Sequence, residues 1–195
     1  MESTQYEVGA KYQLPGDALL TLALFQIDKG LEYENAAGYY VQDGRQVHRG
    51  VELNLGGAVT KNLRALAGVA YLDAEVEKTT DLSILGKRPQ GVPEWQGNLY
   101  LDYDLADLLR GFSVNGGIYY GGAKYIDGAN SWEADAYWRF DAGLRYTHSL
   151  TERATATYRL NVENLFDEVY LANSTWGALG FGAPVTLKFS ASFSY

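Results

Sequence analysis

Apolar and polar residues alternate along most of this chain, and the last eleven residues show the pattern without a fault. From Val185 to Tyr195, six apolar side chains alternate with five that carry a hydroxyl or an amine. Successive side chains of a β-strand point to opposite faces, so this segment predicts a strand with one apolar and one polar face. Its length is about that of a tilted strand that crosses the hydrocarbon layer of a membrane.

The same alternation recurs upstream and predicts about nine strands, each roughly 9 to 13 residues long. Soluble proteins usually have strands of about 5 to 6 residues, so strands of this length favour a membrane protein. Only residues 18–27 are ambiguous, because they are apolar on both faces. The other windows with clear alternation are 6–14, 51–55, 63–71, 95–103, 112–120, 137–148 and 154–162.

The connections between these strands alternate in length. Short, turn-like connections are predicted at 14–18, 56–62, 105–111 and 147–152, and long loops at 28–47, 75–93, 121–136 and 164–184. Short turns on one rim and long loops on the other are typical of outer-membrane barrels, with the turns in the periplasm and the loops outside. The sequence therefore predicts an all-β fold, an antiparallel up-and-down transmembrane β-barrel.

A soluble lipocalin-like barrel is the alternative, because alternation alone does not say which face points outward. Aromatic residues at strand ends favour the membrane, where such residues form girdles at both interfaces. These residues are Trp95, Tyr103, Tyr120, Trp138, Tyr146, Tyr158 and Tyr195.

Composition narrows the classes of function. The 195 residues suffice for one domain, and the mean hydropathy is −0.23 with no apolar run long enough for a membrane helix. A net charge of −8 without basic patches argues against a nucleic-acid partner. No signal peptide is recognisable at the N-terminus.

Few residues suggest catalysis or metal binding. The chain has no cysteine, and its two histidines, His48 and His148, are predicted near opposite rims, so they would not share a metal ion. Ser149 follows His148 directly and therefore lies on the opposite face of the strand, unsuited to a Ser/His pair. We expect no enzyme activity, no catalytic residue, no metal site and no cofactor.

Several segments resemble, in the same order, the C-terminal region of TonB-dependent outer-membrane siderophore receptors, in particular the ferrichrome-receptor type. The most specific is NVENLFDEVY at Asn161 to Tyr170, together with the terminal aromatic strand. The others are VGAKYQL at Val8 to Leu14, LALFQIDKG at Leu22 to Gly30, HRGVELNLGG at His48 to Gly57, LAGVAYLDAEV at Leu66 to Val76 and GKRPQGVPEW at Gly86 to Trp95.

The resemblance implies a plugged barrel of about 22 strands in the bacterial outer membrane that imports ferric siderophores with energy relayed by TonB. Residues 1–195 would form the C-terminal portion of that barrel, without the plug domain and the earlier strands, and would not transport alone. The implied partners are outer-membrane lipid and lipopolysaccharide, TonB through the N-terminal region, and the barrel assembly machinery. An independent small outer-membrane barrel, a pore or an adhesin, stays open as an alternative.

Two groups of residues are candidates for function. Loop aromatics can stack on flat chelating groups, although interfacial anchoring explains them equally well; they are Tyr39, Tyr40, Tyr125, Trp132, Trp138 and Trp176. The resemblance further implies that the terminal strand is a barrel-assembly signal, carried by Leu187, Phe189, Phe193 and Tyr195. Charged residues on the polar faces are expected to be wall residues that pair with one another or with the plug.

Overall fold

The chain folds almost entirely into β-strands. A computed structural model describes residues 2–35, 37–175 and 178–195, and no helix in these ranges is long and apolar enough to span a membrane. The strands are β1 Ser3–Gln13, β2 Ala18–Glu34, β3 Tyr40–Ala58, β4 Leu63–Lys78, β5 Trp95–Asp104, β6 Phe112–Gly121, β7 Lys124–Tyr125, β8 Glu133–Ala134, β9 Tyr137–Ser149, β10 Thr155–Glu163, β11 Leu171–Thr175, β12 Ala178–Phe181 and β13 Thr186–Ser194.

Nine of these strands form one antiparallel sheet, in the order β1-β2-β3-β4-β5-β6-β9-β10-β13. The remaining four form two small hairpins, β7-β8 and β11-β12, inside the connections that follow β6 and β10. Within the described residues no ladder joins β1 to β13, so the sheet has two unpaired edges.

The register places like residues opposite one another. Leu22 lies opposite Leu53, which in turn lies opposite Val69, and Leu160 lies opposite Phe189. One face of the sheet, called here the apolar face, therefore carries the alternating apolar residues of every main strand, and the other, the polar face, carries the residues between them.

The apolar face is uncovered. Phe189 is 70% exposed and Leu24 is 52% exposed, and many large apolar side chains on the same face are comparably open. Soluble monomers rarely expose contiguous apolar patches larger than a few hundred Å², so a face of this extent requires a lipid or protein environment.

Aromatic residues border the apolar face at both ends of the strands. In three adjacent strands they lie eight positions apart: Trp95 and Tyr103, Tyr120 and Phe112, and Trp138 and Tyr146. Eight residues of a strand tilted by about 40° span roughly 20 Å along the membrane normal. The rings also pair within each row, with centroids 4.6 Å apart for Tyr120 and Trp138 and 4.5 Å apart for Phe112 and Tyr146.

The short turns between the strands lie close to their predicted positions. The turn between β1 and β2 contains Gly16 and Asp17, whose φ angles of 89° and 68° fit the residue types that tolerate this conformation. Two neighbouring turns are joined by Lys61 Nζ and Asn62 Nδ2, which donate to Asp107 Oδ2 over 2.9 and 2.8 Å. This pairing lowers the pKa of Asp107, chiefly through the hydrogen bond from Lys61.

The prediction of a long loop at 28–47 is wrong. β2 continues to Glu34 and β3 begins at Tyr40, so the connection is a tight turn on top of two strands of 17 and 19 residues. Beyond the apolar band the alternation disappears because charges occupy the same face: Asp28 pairs with Arg45 over 2.6 Å. β4 likewise continues to Lys78, into the predicted loop 75–93.

The ambiguous segment 18–27 is the lower part of β2. Its leucines at 20, 22 and 24 lie on the apolar face, whereas Phe25 points to the polar face and covers Gly50 of β3, with a ring carbon 2.9 Å from the position a Cβ would take. A large side chain at position 50 would therefore displace Phe25.

Candidate functional site

The polar face holds fixed networks of charged and hydrogen-bonding side chains. Arg145 of β9 reaches across β6 to Asp102 of β5 and donates two hydrogen bonds to its carboxylate, of 2.8 and 3.0 Å, and a third of 2.9 Å to Ser113 Oγ. Asp102 and Ser113 are 8% and 4% exposed. A paired guanidinium and carboxylate of this geometry fix the spacing of three strands.

A second cluster surrounds Arg139 near the long connections. Its guanidinium lies 4.2 Å from the centroid of the Tyr119 ring and pairs with Asp141 over 3.0 Å. Tyr170 is close to the same guanidinium and stacks on Tyr137, with ring centroids 4.0 Å apart. We call Tyr119, Tyr137, Arg139 and Tyr170 the mouth cluster.

A polar recess adjoins the mouth cluster. It has a volume of about 280 Å³, and Tyr119 and Tyr137 line it together with carboxamide and carboxylate groups of β3 and β5, among them Glu52, Gln96 and Asn98. Tyrosine rings and amide donors line this recess, and the cation–π pair of Arg139 with Tyr119 adjoins it, so the recess suits an aromatic or oxygen-rich ligand.

Asn164 fixes both ends of the connection after β10. It is 1% exposed, its Nδ2 donates to the carbonyls of Glu168 and Ala183, and its Oδ1 accepts from the Glu168 N–H. Its own N–H donates to Asp141 over 2.9 Å. Asp167 adds a hydrogen bond from the Val185 N–H. The segment from Asn164 to Asp167 therefore ties this connection to the wall beside Arg139.

The long connections are also joined to one another. Asn130 accepts from the Arg88 N–H and donates to the Arg88 carbonyl, each over 2.9 Å, and Lys124 Nζ donates to the Ala172 carbonyl over 2.9 Å. Burial lowers the pKa of Lys124. Tyr33 is 6% exposed, and its hydroxyl accepts from the N–H and the hydroxyl of Thr80. We call these joined connections the loop crown.

Comparison with known proteins identifies this architecture. A family model described as "TonB dependent receptor-like, beta-barrel" matches residues 1–165. The chain belongs to this family. The predictions of the family and of an antiparallel transmembrane barrel wall are confirmed.

Curated relatives with known names support this family assignment. The ferrichrome outer membrane transporter/phage receptor of Escherichia coli (strain K12) is 32% identical over 98% of this chain, and the ferrichrome receptor FcuA of Yersinia enterocolitica is 30% identical over all of it. The chain spans about a quarter of their length, 26% in each case.

Solved structures agree as well. BauA, the ferric preacinetobactin receptor of Acinetobacter baumannii, is 29% identical over 99% of this chain, with a TM-score of 0.87. The ferric-catecholate import receptor Fiu of E. coli K12 is 28% identical over 98% of it, with a TM-score of 0.75. The chain covers 29% and 27% of these two structures.

Membership of the receptor family orients the sheet. In outer-membrane barrels the apolar face contacts lipid and the polar face lines the lumen, with short turns in the periplasm and long loops outside. The mouth cluster then lies on the lumen wall near the outer rim, and the loop crown lies above it.

Four of the predicted ligand-binding aromatics lie in the loop crown. Tyr39 and Tyr40 are each 71% exposed at the β2–β3 turn, and Trp132 is 70% exposed beyond β7. Tyr125 is half-buried in β7, and its carbonyl accepts from the Gly91 N–H. The structure thus places Tyr125 and Trp132 in one connection and the other two in another, and their role as ligand contacts stays a prediction.

The remaining two aromatic candidates have different placements. Trp138 lies on the apolar face in the outer aromatic row, paired with Tyr120, which favours the anchoring alternative over ligand contact. Trp176 lies outside the described residues.

Asp127 organises the connection that carries Trp132. Its carboxylate accepts from the N–H groups of Ser131 and Trp132, both over 2.9 Å. These hydrogen bonds lower the pKa of Asp127, and the bond from the Trp132 N–H has the largest effect. Trp132 is thus presented by a fixed turn rather than by an unstructured loop.

Sequence reasoning missed the mouth cluster as a site. Tyr119 and Arg139 meet only because β6 and β9 pair in the register that sets them opposite each other. Tyr170 lies 33 positions from Tyr137 and returns to it through the Asn164 segment. The available signal was the tyrosine and arginine content of the polar positions, but it did not indicate which of them meet.

The predicted assembly residues lie where the alternation placed them. Leu187, Phe189 and Phe193 are 68%, 70% and 65% exposed on the apolar face of β13, and Tyr195 follows the strand. The structure and the comparisons do not test their recognition by the assembly machinery, which stays a prediction.

The relatives named above are receptors and transporters. Among the described residues, no group of three or more His, Asp or Glu side chains is placed to hold a metal ion.

Proposed function

We propose that this chain is the C-terminal portion of the barrel of a TonB-dependent receptor that takes up ferric siderophores across the bacterial outer membrane. The observation that supports it best is the family match over residues 1–165 combined with relatives whose names specify ferric ligands. The whole receptor would also contain the plug domain and the earlier strands, contact outer-membrane lipid and lipopolysaccharide, and require TonB and the barrel assembly machinery.

Within that receptor we assign the ligand-facing role to the mouth cluster and the exposed aromatics of the loop crown. Tyr119 and Tyr137 present rings to a recess open to the lumen, and Arg139 is held beside them by Asp141. A ferric siderophore offers flat, oxygen-rich groups that such rings and donors can contact. The relatives carry different named ligands, ferrichrome and preacinetobactin among them, so the proposal concerns the class of ligand.

Uptake of iron supplied as ferrichrome tests the function. Deleting the gene that encodes this chain in its own bacterium should abolish or strongly reduce uptake of radiolabelled ferric ferrichrome, or of another ferric siderophore from a small panel, under iron limitation. The full-length gene should restore it. Unchanged uptake of every ferric siderophore in the panel would contradict the proposal.

Adjacent residues of β9 provide a matched pair that tests the site. In the full-length receptor, Tyr137→Ala should weaken binding of the transported siderophore by roughly tenfold, since it removes a ring and a hydroxyl from the recess. Trp138→Ala, on the lipid face, should leave the affinity within about twofold. Binding is measured by fluorescence quenching on receptor that shows the normal heat-modifiable band. Loss in the Trp138 variant alone would instead support the prediction that Trp138 contacts the ligand.

The alternative of an independent small barrel receives less support. Self-closure of nine strands would require β1 to pair with β13, and the described residues show no such ladder. A parallel seam of that kind is also foreign to ordinary bacterial barrels, whose strand number is even.

A further inference from the structure

We propose that three glycines, Gly117, Gly121 and Gly182, are positioning residues of the ligand site, because one tyrosine ring of the mouth cluster lies against each of them. We call these three residues the supporting glycines. The proposal rests on the ligand-facing role proposed for the mouth cluster, and it adds residues that have no side chain to offer a ligand. Gly117 and Gly121 belong to β6, and Gly182 directly follows β12.

Tyr119 lies over Gly117, two positions before it on the same face of β6. A Cβ at Gly117 would lie 2.7 Å from Cε2 of Tyr119 and 2.9 Å from its hydroxyl oxygen, and the three nearest atoms all belong to this side chain. The guanidinium of Arg139 lies over the same ring, 4.2 Å from its centroid. The orientation of the Tyr119 ring is therefore set by the β6 backbone as well as by Arg139.

The stacked pair of Tyr137 and Tyr170 also lies against glycine. Tyr137 is opposite Gly121 in the β6–β9 ladder, and its Cζ lies 2.7 Å from the position of a Cβ at Gly121. Cε2 of Tyr170 lies 2.6 Å from the position of a Cβ at Gly182. Glycine inside a strand often marks such a close approach, and an aromatic ring over it restores contacts that the missing side chain cannot make.

Tyr170 and Gly182 hold the connection after β10 against the wall. They lie at the two ends of the β11–β12 hairpin, and the Gly182 N–H donates to the Tyr170 carbonyl over 2.8 Å. Asn164 fixes the neighbouring carbonyls of Glu168 and Ala183. The described residues that line the polar recess include Tyr137 but not Tyr170, so Tyr170 acts on the recess through the ring on which it stacks.

Alanine at a supporting glycine should move the ring rather than the backbone. None of the three is among the described glycines with a positive φ, so their backbone conformation is open to alanine. The atoms in the way are the outer atoms of a tyrosine side chain, which can rotate about its own bonds. A ring that is already held in place loses less conformational freedom when a ligand binds, so its displacement should weaken binding.

Glycine substitutions in the full-length, folded receptor test the proposal. Gly117→Ala, Gly121→Ala and Gly182→Ala should each weaken binding of the transported ferric siderophore by roughly fivefold, a loss comparable to that of one aromatic contact. Gly116→Ala is the matched control, because it lies in β6 beside Gly117 but on the apolar face, and it should leave the affinity unchanged. Fluorescence quenching measures binding on receptor that shows the normal heat-modifiable band.

Double variants separate displacement of a ring from a general structural effect. In a Tyr137→Ala receptor, Gly121→Ala should cause no further loss of affinity, because no ring remains to be displaced. Gly182→Ala should likewise have no effect in a Tyr170→Ala receptor. Tyr170→Ala alone should weaken binding, and together with Gly182→Ala it provides the test if the β6 variants fail to fold.

The outcomes distinguish this proposal from the proposed function. If wild-type receptor binds a ferric siderophore and the variants at the supporting glycines bind it equally well, the role of these glycines is overturned and the function stands. Additive losses in the double variants would also overturn it, since the glycines would then act independently of the rings. A wild-type receptor that binds no ferric siderophore overturns both.

Discussion

The two faces of the nine-stranded sheet are built from the same strands but depend on different properties of their residues. On the apolar face, leucines and valines lie opposite one another and remain exposed, so what matters is that each position is apolar. On the polar face, stability depends on particular pairs such as Arg145 with Asp102, whose distances are set by the register. The apolar face should therefore tolerate changes of shape and reject charge, and the polar face should do the reverse.

The largest test of this difference is a charge placed on each face at neighbouring positions. Leu99→Arg, on the apolar face, should lower the free energy of unfolding from lipid bilayers by about 2–4 kcal/mol, the cost of an arginine near the bilayer midplane. Leu66→Arg is the matched control, since Leu66 is a leucine on the polar face, 56% exposed, one register position away. It should cost less than about 1 kcal/mol. Equal losses would mean that the two faces are wrongly assigned.

The next test removes one partner of the strongest pair on the polar face. Asp102→Asn should destabilise the receptor by about 2 kcal/mol or more, because the guanidinium of Arg145 loses its carboxylate in a partly buried site. The added Arg145→Gln substitution should recover part of that loss. Glu152→Gln, in an exposed turn, is the control. Denaturant unfolding measures the wild type, both single variants, the double variant and the control, and a purely additive double variant would show that the pair is not coupled.

The smallest test compares two glycines. A Cβ at Gly143 on the polar face would contact Asn161 Oδ1 and lie 2.6 Å from Asn115 Oδ1, so both amides must move. A Cβ at Gly116 on the apolar face would meet only the Asp141 carbonyl, at 3.5 Å. Gly143→Ala should therefore cost about 1 kcal/mol, and Gly116→Ala should be neutral or stabilising by about 0.5 kcal/mol. The reverse order, in the same unfolding assay, would contradict the idea that the polar face is the more specific one.

Much of the wall could be predicted from the sequence because its signal has a simple cause. A strand with lipid on one side and the lumen on the other must alternate, so residues 112–120 and 137–148 were recognisable without neighbours. Where the strands extend beyond the membrane, this cause no longer acts, and alternation no longer predicts the strands. Above the membrane, Asp28 and Arg45 pair on the face that is apolar lower down, and the sequence therefore predicts a loop where the long ends of β2 and β3 lie.

The mouth cluster could not be predicted because it depends on relations between strands. Tyr119 meets Arg139 through the β6–β9 register, and Tyr170 reaches Tyr137 only after Asn164 has folded the following connection back on the wall. Alternation predicts on which face of the sheet a residue lies, but not which residue of another strand it contacts. The sequence identifies the segment from Asn164 to Asp167 as specific to the family. Its role in tying the connection after β10 to the wall can be seen only from its hydrogen bonds in the structure.

The pairing order of the sheet also bears on how the wall can assemble. Every ladder of the nine-stranded sheet joins strands that follow one another along the chain, apart from the two small hairpins enclosed in the connections. Loop closure between such neighbours costs little entropy, and proteins rich in local contacts fold faster than those that need distant pairings. The wall can therefore grow hairpin by hairpin, with each completed strand serving as the template for the next, and no early step has to bring remote parts of the chain together.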